Sequence, residues 1–204
     1  AFLHNQNPVA DLQQLLELGR DENRGDAAAG LLPHDLEDLL LRASMALRIE
    51  RALDRLCREL PPQLWVVLGY PREGAHGLRN VASLLHGGKV VAEYAKIELS
   101  HDPIFDEGRY FSAGRAPCVV AIEGFRVALS VGEDALFDRP MELARQAGAE
   151  LVLNISAAPF QLESYLGHSA IVERRATAAG LGVICVNQVG GHDGAEPVRL
   201  DLLL

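Results

Sequence analysis

The sequence predicts a layered α/β protein in which helices cover mixed sheets. Three observations carry this. From residue 64 onward, apolar runs of strand length come first and then alternate with longer segments of helical period. Two pairs of those runs are joined by two-residue turns, Gly87-Gly88 and Glu123-Gly124, which is hairpin chemistry. Alanine, leucine, valine and glycine dominate while aromatics make up only 5%, a vocabulary suited to buried strands and amphipathic helices.

Taken in order, "VADLQQLLELG" (9–19) has apolar residues at helical spacing, and the polar "RDENRGD" (20–26) follows as a loop or helix end. Residues 33–60, "PHDLEDLLLRASMALRIERALDRLCREL", are strongly helical, starting near His34 or Asp35 and stopped by Pro61-Pro62. Ala43–Ser44 offers a point where this segment would divide into two helices. "LWVVLGYP" (64–71) is a continuous apolar run and reads as a buried strand. Residues 78–96 and 118–131 each read as two strands around their tight turns. "RPMELARQAGA" (139–149) is a helix with Pro140 in its first turn and Gly148 near its end. "ELVLNIS" (150–156) is a strand, 163–181 a helix, and "GVICVNQVGG" (182–191) a strand ending in a loop. No repeat or low-complexity linker interrupts this order, so a single domain over 1–204 is expected.

Composition removes several classes of function. A net charge of −9 argues against a nucleic-acid groove and against an anionic membrane surface. No apolar run approaches the roughly 18 residues of a spanning helix. "AFLHNQNPVADL" has neither a basic n-region nor a long apolar h-region, so no signal peptide is expected. Cys57, Cys118 and Cys185 lie far apart without metal-ligand spacing, and read as buried thiols in a reducing, cytoplasmic setting. No metal and no cofactor are expected.

Several stretches together resemble one family. They are "HGGKVVAEYAKIELSHDPIFDEGRYFSAG" (86–114), "GFRVALSVGEDALFDRPMELARQAGAELVLNISAAPF" (124–160) and "VICVNQVGG" (183–191), with "EDLLLR" (37–42) nearer the start. They resemble the nitrilase, or carbon-nitrogen hydrolase, superfamily, in particular the glutaminase domain of glutamine-dependent NAD synthetases. The resemblance implies a four-layer α-β-β-α sandwich, often dimerised through a helical face. It also implies a Cys-Glu-Lys site. There a thiolate attacks an amide carbon, a glutamate moves the protons, and a lysine supports the oxyanion.

Residue by residue, the resemblance places Lys96 of "YAKIEL" on the family lysine. Read from pattern alone, Lys96 is equally an ordinary solvated lysine at a strand end. Glu107 of "FDEGRYF" falls on a second family glutamate beside the site, with Tyr110 and Phe111 as pocket walls. The family strand end reads Ile-Cys-Glu-Asp, whereas this chain reads Val131-Gly132-Glu133-Asp134. Gly132 therefore takes the nucleophile's place and cannot form a thioester. The general base belongs near Ala27-Ala28-Ala29, where no glutamate stands; Glu22 is the nearest carboxylate. With the weak first strand "AFLHNQNP" and a short end after Gly191, this implies an eroded N-terminal edge and a missing last hairpin.

Two functional expectations follow. The first is a catalytically inactive nitrilase-like domain retained for ligand binding, assembly or regulation, in which Lys96, Glu107 and Glu133 line a pocket for a small polar or anionic ligand. A homodimer or a protein partner is expected with it. The second is a glutamine amidohydrolase supplying ammonia to a separate NAD synthetase-type partner, or a nucleophile-disabled form of one. A plain scaffold without a pocket is the blandest alternative.

Overall fold

A computed structural model describes residues 34–75, 77–101, 106–158 and 162–188, with side chains described from residue 44 in the first helix and from residue 167 in the last. The helical expectation at 9–19, the alanines at 27–29, the eroded edge and the C-terminal end lie outside the described residues. The chain divides into two compact units, Ala1–Arg42 and Ala43–Leu204, so the single-domain expectation over 1–204 rests partly on residues not described. Both sheets and the candidate site belong to the second unit.

Helix α1 spans His34–Glu59 and crosses the unit boundary without interruption. Of the two readings of this segment, one helix or a division at Ala43–Ser44, the single helix is the one found: Ala43 carries high helix propensity and one serine costs too little to open a turn. Three antiparallel strands follow, β1 (Val66–Gly74), β2 (Gly77–His86) and β3 (Lys89–Ala95), forming one sheet in that order. A second sheet has the order β4-β5-β6-β7, with β4 (Val119–Ile122), β5 (Phe125–Val131), β6 (Leu151–Ser156) and β7 (Gly182–Asn187). Its first pair is antiparallel and the rest parallel. The parallel connections run through helices α2 (Asp138–Gln146) and α3 (Leu162–Ala179), because parallel neighbours need a crossover.

Both expected hairpins are present. Gly87 and Gly88 have φ of 58° and 77°, and Glu123 and Gly124 have 48° and 89°. Those left-handed values match the twist of the flanking strands and explain glycine at three of the four positions.

Three apolar clusters define the layers. Leu53 and Ile49 of α1 pack on Tyr70, Val81 and Leu68 of the first sheet. The other face of that sheet presents Ala82, Leu84 and Tyr94 to Leu129, Val131 and Ile155 of the second. The far face of the second sheet, Ala128, Val152 and Val183, packs on Met141 and Ala144 of α2 and Val172 of α3. Covered on both sides, Val127 through Val131 are all buried, which is why this part of β5 is apolar apart from Ser130. The result is the expected four-layer α-β-β-α sandwich. Its layering brings the end of β3 and the end of β5, on different sheets, to the same edge of the interior.

Candidate functional site at the ends of two strands

Lys96 immediately follows β3. Its backbone is held on both sides: its N–H donates to the Asn80 carbonyl at 2.9 Å, and its carbonyl accepts from Gly114 at 2.7 Å. The residue is only 4% exposed. This excludes the solvated strand-end lysine. A buried ammonium needs compensation, and its Nζ donates to Glu107 and lies 3.5 Å from Glu133 Oε2.

Glu107 opens a short 3-10 turn, Glu107–Arg109. One oxygen accepts from Asn80 Nδ2 at 2.9 Å; the other accepts from Lys96 and from the Ser100 N–H at 2.8 Å. Burial alone would raise this carboxyl. The hydrogen bonds from Lys96, Ser100 and Asn80, with the lysine charge, outweigh it and hold Glu107 below the ordinary carboxylate range. Glu133 is more open, its side chain 38% exposed, and accepts from Ser100 Oγ at 3.3 Å.

Gly132 lies at the end of β5 and begins a 3-10 turn, Gly132–Leu136, with φ of 54°. A Cβ built on Gly132 falls 3.5 Å from Lys96 Nζ and 3.8 Å from Lys96 Cε, ordinary van der Waals distances. The Gly132 position thus faces the lysine ammonium. The turn is held by Asn154, whose Nδ2 donates to the Gly132 carbonyl at 3.0 Å and to Ser130 Oγ at 2.9 Å.

Two residues on, Asp134 is fully buried. Its Oδ2 accepts from Tyr94 OH at 2.6 Å and from the Ile97 N–H at 3.1 Å, and its Oδ1 accepts from the Glu98 N–H at 2.7 Å. Burial raises its carboxyl pKa despite these three donors and the nearby Lys96 charge. Burial, and the Asp134 charge after it, push the Tyr94 phenol upward as well.

The structure therefore brings Lys96, Glu107, Gly132 and Glu133 together. Tyr110 is 59% exposed, with the Arg109 guanidinium 6.0 Å from its ring centroid, and Phe111 is half-buried; both backbone N–H groups bond the Glu107 carbonyl and close its turn. Two small cavities lie elsewhere, one around Tyr94, Leu129 and Met141, the other around Cys57, Leu60 and His86.

Asn80, Tyr94, Ser100, Asp134 and Asn154 are site residues that sequence reasoning misses. For Ser130 and Asn154 a signal is present: each is a polar side chain inside an otherwise apolar strand run. The cysteines are half-buried, a correction to the buried thiols expected. Burial raises the thiols of Cys118 and Cys185, the latter to about 11, so neither presents a thiolate near neutral pH. Among the described residues no cluster of metal-ligating side chains occurs, and no helix is long and apolar enough to cross a membrane.

Comparison with known proteins agrees with this geometry. The chain is 33% identical over 189 residues to a glutamine-dependent NAD(+) synthetase of Xanthomonas campestris, covering 88% of this chain and 34% of that protein. It is 32% identical to the corresponding synthetase of Aquifex aeolicus, covering 77% and 28%. The chain thus spans about a third of the length of these curated relatives. Among solved structures, the glutamine-dependent NAD+ synthetase of Acinetobacter baumannii superimposes with a TM-score of 0.71 at 23% identity, over 92% of this chain and 36% of that one, a likeness of fold. A cysteine-to-alanine mutant of a Nesterenkonia amidase from the nitrilase superfamily gives 0.64 at 27% identity, over 74% and 57%. The carbon-nitrogen hydrolase family model matches residues 39–199. With that match across most of its length, and with Lys96, Glu107 and the Gly132 turn assembled at one edge of the sandwich, the chain belongs to the carbon-nitrogen hydrolase family.

Proposed function

We propose that this is a non-hydrolytic carbon-nitrogen hydrolase domain, retained for ligand binding, assembly or regulation. One observation carries the reading: the strand end that faces the Lys96 ammonium bears Gly132 and no nucleophile. Covalent amide hydrolysis needs a thiolate or its equivalent at that point. Among the described residues the side-chain partners of Lys96 are carboxylates, Glu107 and Glu133, and Glu107 is locked by Lys96, Asn80 and Ser100. The half-buried thiols cannot substitute, since Cys118 precedes β4 and Cys185 lies inside β7.

The electrostatics also narrow the ligand. One lysine faces two carboxylates, Glu107 and Glu133, so the described part of the site carries a net negative charge. That disfavours an anion and favours a neutral or amine-bearing polar molecule able to donate to the exposed Glu133.

A second reading is a glutaminase feeding ammonia to a synthetase partner. The intact Lys96–Glu107 pair favours it, and the synthetase relatives supply the substrate class. The test is ammonia release from glutamine and simple amides by the chain as written and by Gly132→Cys. Silence from both supports the first reading, with the base absent as well as the nucleophile. Turnover by the unaltered chain refutes it, and turnover by Gly132→Cys alone shows that only the thiol is missing.

A further inference from the structure

Lys96 follows β3 of the first sheet and Gly132 follows β5 of the second, and among the described residues no ladder hydrogen bond joins the two sheets. Something else must set the gap between the ammonium and the strand end. We propose that Asp134 is the positioning residue that fixes this gap, by holding from the Gly132 turn the strand and the loop that carry Lys96. The proposal rests on the geometry of the Lys96–Gly132 site, not on whether it turns over substrate.

The geometry is specific. Asp134 sits two residues after Gly132, in the same 3-10 turn. Its three donors come from the end of β3 and the loop after it: Tyr94 OH two residues before Lys96, and the Ile97 and Glu98 N–H groups immediately after it. Lys96 is bracketed. A carboxylate with no solvent exposure that binds three donors at 2.6 to 3.1 Å tolerates little displacement. Neutral donors alone do not repay burying a charge, which is consistent with the raised Asp134 carboxyl. The arrangement is costly for a packing element and fits a part that fixes a distance.

The test uses the thiol introduced by Gly132→Cys as a ruler. Its Cβ would lie 3.5 Å from Lys96 Nζ, so the thiol's titration midpoint reads the balance between the lysine charge and the Glu107 and Glu133 carboxylates that face it. The midpoint is read from the pH dependence of alkylation, with the modified peptide identified by mass so that Cys57, Cys118 and Cys185 do not interfere. Adding Asp134→Asn lets the lysine draw away from the thiol and should move the midpoint up by about one unit, a roughly tenfold slower reaction at pH 7. Tyr94→Phe, which removes one donor and keeps the carboxylate, should move it the same way by less, and provides the answer if the Asp134 variant does not fold. Leu53→Ala, which loosens packing on the far face of the first sheet, should leave it in place. A Gly132→Cys midpoint that neither Asp134→Asn nor Tyr94→Phe shifts in a folded protein overturns the proposal. Because no turnover is measured, these outcomes are independent of the hydrolysis assay.

Discussion

Replacing Glu107 by glutamine isolates the stability that the site confers. The Lys96 side chain is 5% exposed and that of Glu107 13%. Breaking a buried ion pair by removing one partner costs about 3–5 kcal/mol, chiefly through the charge left behind. Here Lys96 keeps Glu133 at 3.5 Å, which places Glu107→Gln near the low end, about 3 kcal/mol. For a chain of this size that is a fall in Tm of about 6–12 °C. Lys96→Met should cost less, because Glu107 retains the Ser100 N–H and Asn80 Nδ2 as donors. Glu133→Gln, at a half-open position, should cost under about 1 kcal/mol. Urea denaturation followed by circular dichroism ranks the three. If Glu107→Gln costs no more than Glu133→Gln, the claim that Lys96 and Glu107 form a desolvated unit is wrong.

Three further outcomes rest on the same contacts. Asn154→Ala removes both bonds that hold the Gly132 turn and leaves Ser130 Oγ buried; a loss of about 1–3 kcal/mol is expected by denaturation. Glu107 has a lowered folded pKa, so its contribution is complete above the ordinary value of 4.5 and disappears as pH falls through the folded value. Asp134, with its raised carboxyl, has the opposite sign. Between pH 5 and 3 the Glu107→Gln variant should therefore lose less stability than the parent chain. Cys185, with a thiol near 11, should have only about 0.1% thiolate at pH 8 and alkylate correspondingly slowly, as peptide mapping over time would show.

The fold is readable in the sequence because its signals are local. Gly87-Gly88 and Glu123-Gly124 announce left-handed turns, and Val127–Val131 is apolar apart from Ser130 because both of its faces are covered. Family resemblance places Lys96, Glu107 and Gly132, and the structure brings them together; nothing in their spacing of 11 and 25 residues does so. The supporting groups are less legible. Asp134 looks like part of an exposed turn in "GED", yet it is fully buried because its partners, Tyr94 of β3 and Ile97 and Glu98 of the loop after it, are distant in sequence. The Ala43–Ser44 position misleads in the other direction: a serine in a helix is a weak local signal, and the run of good helix formers around it prevails.

The most direct measurement of the central claim is coupled detection of ammonia released from glutamine by the unaltered chain, beside Lys96→Met as the control for contaminating hydrolase. With glycine at the strand end that faces Lys96, the two should give the same background rate at every glutamine concentration. Saturable release by the unaltered chain that disappears in Lys96→Met would contradict the account.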